Sequence, residues 1–244
     1  VFDLDIYCET LFSSGNIFPV EPLNTYSNFA ALIMGVIAYL LASRSESNSL
    51  WVKFPFVMLI SNGLTSFLWH GTRQEIMLVL DVITGLLVFI SLFVLWARYV
   101  LRGRHSVVFI MGFLISCALG ELFVHAAFDF QNDWLSLLPS TVLFGSYLVY
   151  KTASINRRAG YFGIVGIVSA AMAVYFRTFD SYAVENGACI GAGGGTHHLW
   201  HIILAFAAFM GVFVILGVSA GGKGVAESRL PLSEARGLPR WSMK

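Results

Sequence analysis

Seven long apolar runs divide this sequence: Tyr26–Ser43, Lys53–Gly71, Ile76–Ala97, Ser106–Ala127, Leu135–Tyr150, Gly160–Phe176 and His197–Ala220. Hydrocarbon tolerates only helices or closed barrels, because every backbone N–H and C=O must find its partner inside the protein. The runs are too long and too continuously apolar for barrel strands of about 10 alternating residues, so each reads as a membrane-spanning helix. Composition agrees, with 57% hydrophobic and 12% charged residues against about 25% charged in soluble domains. The expected fold is an all-α membrane protein of seven transmembrane helices. The fifth run is the shortest, and Pro139 sits near its start, where the missing N–H costs least.

The charges separate across these spans. Arg44, Lys53, Arg98, Arg102, Arg104, Lys151, Arg157, Arg158, Lys223, Arg229, Arg236, Arg240 and Lys244 fall on one side, and only Arg73 and Arg177 fall in connections on the other. The positive-inside rule puts the basic side in the cytoplasm, with the N-terminus outside and the C-terminus inside. An even number of spans would break this pattern. Residues 1–220 form the expected seven-helix domain, and residues 221–244, with Gly, Ser, Pro and scattered Arg, read as a short disordered cytoplasmic tail. The first 25 residues hold Asp3, Asp5, Glu9 and Glu21 without Lys or Arg, and so lack the positive n-region of a signal peptide. A net charge of +1 and no basic cluster with interleaved aromatics exclude nucleic acid as a partner. No nucleotide fingerprint is present, and the glycine-rich stretch 191–195 reads as a flexible loop before the last helix.

Ionisable residues inside spans are expensive in hydrocarbon and are functional candidates for that reason. Ser66 and His70 stand four apart near the outer end of the second run, Asp81 lies in the first turns of the third, and His197 and His201 open the seventh. Residues four apart share a helix face, so all five are expected at one membrane depth. A His pair on one helix with a third His from another forms the three-ligand set of a catalytic zinc site, with a fourth position left for water. Asp81 could then take a proton from that water, and Ser66 could hold the water or donate to a developing oxyanion. A plainer reading stands beside this one: His pairs arise by chance, and a helix-terminal His can simply satisfy a backbone carbonyl. Glu121 and His125, also four apart, either pair with each other or line a cavity or the surroundings of a metal.

Together these residues resemble the alkaline ceramidases, part of a wider superfamily of seven-helix membrane hydrolases that includes the adiponectin receptors. The resemblance rests on Ser66-Phe-Leu-Trp-His70, Asp81, His197-His-Leu-Trp-His201, Tyr7-Cys8-Glu9 and Glu21-Pro-Leu-Asn24-Thr-Tyr-Ser27-Asn28. It implies a zinc ion held by His70, His197 and His201, with Ser66 and Asp81 as catalytic groups around an activated water. It also implies hydrolysis of a ceramide amide to a sphingoid base and a fatty acid. The family carries a calcium site near its N-terminus, to which Glu9 and Glu21 correspond. Its aspartate and asparagine ligands are replaced here by Ile6 and Leu11, so Asp5 or Asp3, with backbone carbonyls, would have to complete the site. The resemblance further implies a disulfide between Cys8 and Cys189, both on the outer face where oxidation is permitted; two free thiols are the alternative. Cys117 reads as an inert buried thiol.

The expected partner is therefore a ceramide-like membrane lipid within the bilayer, met at a site towards the outer side, and no obligate protein partner is evident. Another lipid amide or ester is an alternative substrate. A non-catalytic receptor or sensor with structural zinc is the rival of a different class, and Ser66 and Asp81 argue against it. A retinal-type protein would need a lysine in the last span, which His197–Ala220 lacks. A haem carrier would have no need of a His pair on one helix.

Overall fold

The structure, a computed structural model, describes residues 7–12, 17–45, 49–101, 103–127, 133–189 and 195–227. Its regular elements are all helices among the described residues. Two short ones, α1 (Cys8–Phe12) and α2 (Pro22–Ser27), precede α3 (Phe29–Arg44), α4 (Leu50–Thr72), α5 (Glu75–Val100), α6 (Arg104–Ala127), α7 (Asp133–Ile155), α8 (Arg157–Glu185) and α9 (His197–Glu227).

Six segments are long and apolar enough to cross a membrane: Pro22–Arg44, Leu50–Thr72, Glu75–Val100, Arg104–Val124, Arg157–Glu185 and His197–Ser219. This is the build of an integral, multi-pass membrane protein. The fifth expected run corresponds to α7, which has 23 residues but is not among those six. Its Ser136, Ser140, Thr141 and Lys151 dilute the apolar character. The helices also outrun the sequence breaks. The sixth run was expected to end at Phe176, but α8 continues to Glu185, so Arg177 lies within a helix and not in a connection. Likewise α9 runs on past Ala220 to Glu227, while residues 228–244 of the expected tail lie outside the described residues.

Local chemistry explains several helix ends. The Ser49 side chain accepts from Val52 N–H at the start of α4, and Asn156 Oδ1 accepts from Arg158 and Ala159 at the start of α8. Both satisfy donors that the first helical turn leaves unpaired. The Asn156 amide also donates to Gly217 O at 3.0 Å, tying α8 to α9.

Packing centres on α9, which contacts α8, α3 and α5. Ala38, Ala42, Val52, Phe56, Val212 and Ile215 form one buried cluster between α3, α4 and α9. A second joins α5, α6 and α7 through Phe93, Phe113 and Leu148. Small residues let backbones approach where hydrophobicity gives no drive for helices to associate. At Gly63, a Cβ would lie 2.9 Å from the backbone nitrogen of Leu32. The outward faces are apolar too, as on α6 with Val108, Met111, Ile115, Leu119 and Phe123 exposed, which suits contact with lipid chains.

Candidate metal centre

His70 lies near the end of α4, and His197 and His201 occupy the first two turns of α9. All three are buried, and one ring nitrogen from each lies within 4.8 Å of the others. The Nε2 atoms of His70 and His201 are 3.1 Å apart, and the His197 ring centroid is 4.7 Å from that of His201. Both ring nitrogens of His197 and the hydroxyl of Ser66 are buried without a hydrogen-bond partner. Buried polar atoms are rarely left unpaired, so these orphaned atoms fit a group the chain is built to hold. Three neutral imidazoles are a donor set suited to zinc. His198, one position along, stands outside the cluster.

The N-terminal segment completes the enclosure. Val20 and Glu21 donate their N–H groups to the carbonyls of Gly71 and His70, each at 3.1 Å, satisfying acceptors that the end of α4 leaves open. Glu21, fully buried, then meets His70 Nδ1 at 2.5 Å, Arg73 at 2.9 Å, the Thr10 hydroxyl at 2.5 Å and the Asn24 amide at 3.0 Å. A carboxylate on the far nitrogen fixes the His70 tautomer and leaves Nε2 facing the other histidines. Burial alone would raise the Glu21 carboxyl, but its hydrogen bond with His70 and the Arg73 charge hold it below the ordinary carboxylate range. Tyr7 covers His197, with ring centroids 3.7 Å apart and planes tilted by 30°. The Arg73 guanidinium lies 4.0 Å from the Trp69 ring, and that of Arg177 is 5.5 Å from Trp200.

Glu9 has a different duty. Pro22 opens α2 and has no N–H, so the next donors are Leu23 and Asn24, and Glu9 accepts from them at 2.7 and 2.9 Å. Burial pushes the Glu9 carboxyl up, in spite of these two bonds. The two glutamates of the expected calcium site therefore have protein partners at every oxygen, and Asp3 and Asp5 lie outside the described residues. The residues described do not by themselves make a calcium cage. The expected Cys8–Cys189 disulfide is present, with Cα atoms 5.4 Å apart, and Cys117 is a free, partly buried thiol.

An apolar cavity of about 210 Å³ opens beside His201, with Tyr7, Asp81 and Arg177 also on its wall and Trp96 and Ile215 further along. His201 to Ile215 is fourteen residues of α9, about 21 Å at 1.5 Å per residue. Asp81 is therefore on the wall of the cavity that His201 also lines, while Ser66 sits one turn before His70 on α4. Asn62 donates to Asp81 Oδ1 at 2.7 Å and orients it. Glu121 accepts from the Ser136 hydroxyl of α7 and is not on the cavity wall; the side chain of His125, its expected neighbour, lies outside the described residues.

Sequence reasoning overlooked Tyr7 as a cover, Asn62 as the Asp81 partner, and Asp180. The last is 1% exposed and accepts from the N–H groups of Cys8, Thr196 and His197. Asn62 at four residues before Ser66 was the one local signal available. No curated protein matches this sequence. The ceramidase family model matches residues 6–230, a span that takes in the N-terminal segment, the helices α1 to α9 of the described residues and the three histidines. By that match, and in keeping with its motifs, the chain belongs to the ceramidase family.

Proposed function

We propose that the protein is an intramembrane, zinc-dependent amidase that hydrolyses ceramide to a sphingoid base and a free fatty acid. Membership of the ceramidase family supplies the hydrolase class. The observation that carries the finer reading is the convergence of three buried imidazoles, one of which, His201, shares the wall of an apolar cavity with the Asp81 carboxylate. His70, His197 and His201 would hold the ion. When bound, zinc supplies Lewis acidity, polarising the amide carbonyl and making water a nucleophile near neutral pH.

The chain's own groups divide the remaining work. Asp81, oriented by Asn62, accepts the proton of the attacking water and returns it to the leaving nitrogen, so that the amine departs neutral. The Ser66 hydroxyl has no protein acceptor and donates to the oxygen on which negative charge develops. The cavity holds a hydrocarbon chain: its run of about 21 Å exceeds half of the roughly 30 Å hydrocarbon core. Helix α7 supplies the seventh span in this reading, with the N-terminus and the metal end outside and the basic connections in the cytoplasm.

The test is hydrolysis of a ceramide panel by purified protein, with zinc measured on the same sample and His201→Ala as the control. Release of sphingoid base that follows zinc content and vanishes in the variant supports the reading. Stoichiometric zinc without turnover of any lipid amide or ester favours a receptor, and protein that takes up no zinc removes both.

A further inference from the structure

Asp180 has no part in that hydrolysis, yet its buried carboxylate accepts three backbone N–H groups from two separate segments of the chain. Oδ1 accepts from Thr196 N–H at 2.7 Å and His197 N–H at 3.3 Å, and Oδ2 accepts from Cys8 N–H at 3.1 Å. A helix start is ordinarily capped by a neighbouring Ser, Thr, Asp or Asn. Thr196 occupies that place before α9, but its hydroxyl donates to Phe176 O at 2.7 Å, so the helix takes its acceptor from α8 instead. A carboxylate there also complements the helix dipole.

The consequence falls on His197, the first residue of α9. Whatever fixes the start of that helix fixes the origin of this imidazole, which has no hydrogen bond of its own to orient it. The other carboxylate oxygen fixes Cys8, next to the Tyr7 ring that covers His197. Gly195 shows how close this junction is: a Cβ there would stand 2.7 Å from Asp180 Oδ1 and 3.1 Å from the Cys8 Cβ. The last residue of the glycine-rich stretch is thus required by packing.

We propose that Asp180 is a positioning residue for the metal centre, holding His197 from behind and Tyr7 across it through one carboxylate that joins α8, α9 and the N-terminal segment. The proposal rests on the metal reading given above. Two variants disturb the junction in different ways. Asp180→Asn keeps the shape but replaces one acceptor with a donor, and Gly195→Ala leaves the charge and intrudes a methyl group on it.

Zinc affinity is measured by chelator competition on wild type and both variants, after mass spectrometry has verified the Cys8–Cys189 bridge. Both variants are expected to bind zinc about 10–100-fold more weakly, the range for residues that orient metal ligands. A brace without a positioning role would lower the melting temperature of the metal-free protein and leave zinc affinity within about twofold; that result overturns the proposal. If wild type binds no zinc, the metal reading fails separately. Asp180 is then judged by amide exchange over residues 7–12 and 195–203: faster exchange of both segments in Asp180→Asn supports the junction, and unchanged exchange overturns it.

Discussion

Glu21 and His70, 49 positions apart in the sequence, meet at 2.5 Å between Oε2 and Nδ1, and the contact joins the N-terminal segment to the helix that bears one of the three clustered imidazoles. The same carboxylate neutralises Arg73. Glu21→Gln keeps an acceptor and is expected to weaken zinc binding by about 10-fold, and Glu21→Ala by up to about 100-fold. Chelator competition at fixed pH measures both. Equal zinc affinity in wild type and Glu21→Ala would mean that the contact serves only to fasten the segment.

Ser66 and Asp81 are expected to separate from the histidines in experiment. Ser66→Ala removes a donor to developing charge and should lower kcat by about 10²–10³-fold. Asp81→Asn removes the proton carrier and should lower kcat by about 10²–10⁴-fold. Both should retain zinc, whereas His70→Ala and His197→Ala should lose it. Kinetics and metal content on the same preparations decide: zinc loss in Asp81→Asn would move that residue from proton transfer to holding the ion.

What the sequence disclosed and what it hid follow from distance along the chain. The pairing of Ser66 with His70 and of His197 with His201 was legible because a spacing of four is a helical turn, and the family resemblance then joined two helices 131 positions apart. The limits of α8 were not legible, since Arg177 and Asp180 look like the polar close of a span. In fact they lie inside the helix, one over the Trp200 ring and the other buried at a junction. The Asp180 bond to Cys8 crosses 172 positions, and no local pattern announces such a contact. Gly195 was read as part of a loosely built loop, although its lack of a side chain is what admits the Asp180 carboxylate.

The disulfide closes a separation of 181 residues between Cys8 and Cys189, fastening the segment that carries Tyr7, Glu9 and Glu21 to the α8–α9 connection. Long loops gain most from such a bond in the chain-entropy account, and removing a native bridge typically costs about 2–5 kcal/mol. Cys8→Ser is expected to lower the melting temperature and to weaken zinc binding, because Glu21 and Tyr7 are less firmly held against the histidines. Thermal unfolding with and without a reductant checks the first effect, and chelator competition the second. A lowered melting temperature with unaltered zinc affinity would confine the bridge to stability.

The middle of the α9 cavity wall is made of small residues, Ala205, Ala207, Ala208 and Gly211, between the larger Leu204 and Val214, and these leave room for a channel beside a close-packed helix. Ala208 stands seven residues, two turns, beyond His201, about 10 Å deeper at 1.5 Å per residue. Ala208→Phe should therefore obstruct the chain without touching the histidines or Asp81. Turnover of long-chain ceramides is expected to fall by at least about 10-fold, the effect of losing roughly 1.4 kcal/mol of chain binding, while short-chain substrates and zinc content stay near wild type. Varying acyl length on a fixed base, and base length on a fixed acyl group, identifies which chain the cavity holds, because only the series for that chain acquires a cut-off. An equal loss across both series would place the hydrocarbon elsewhere and leave the cavity to the packing of the helices.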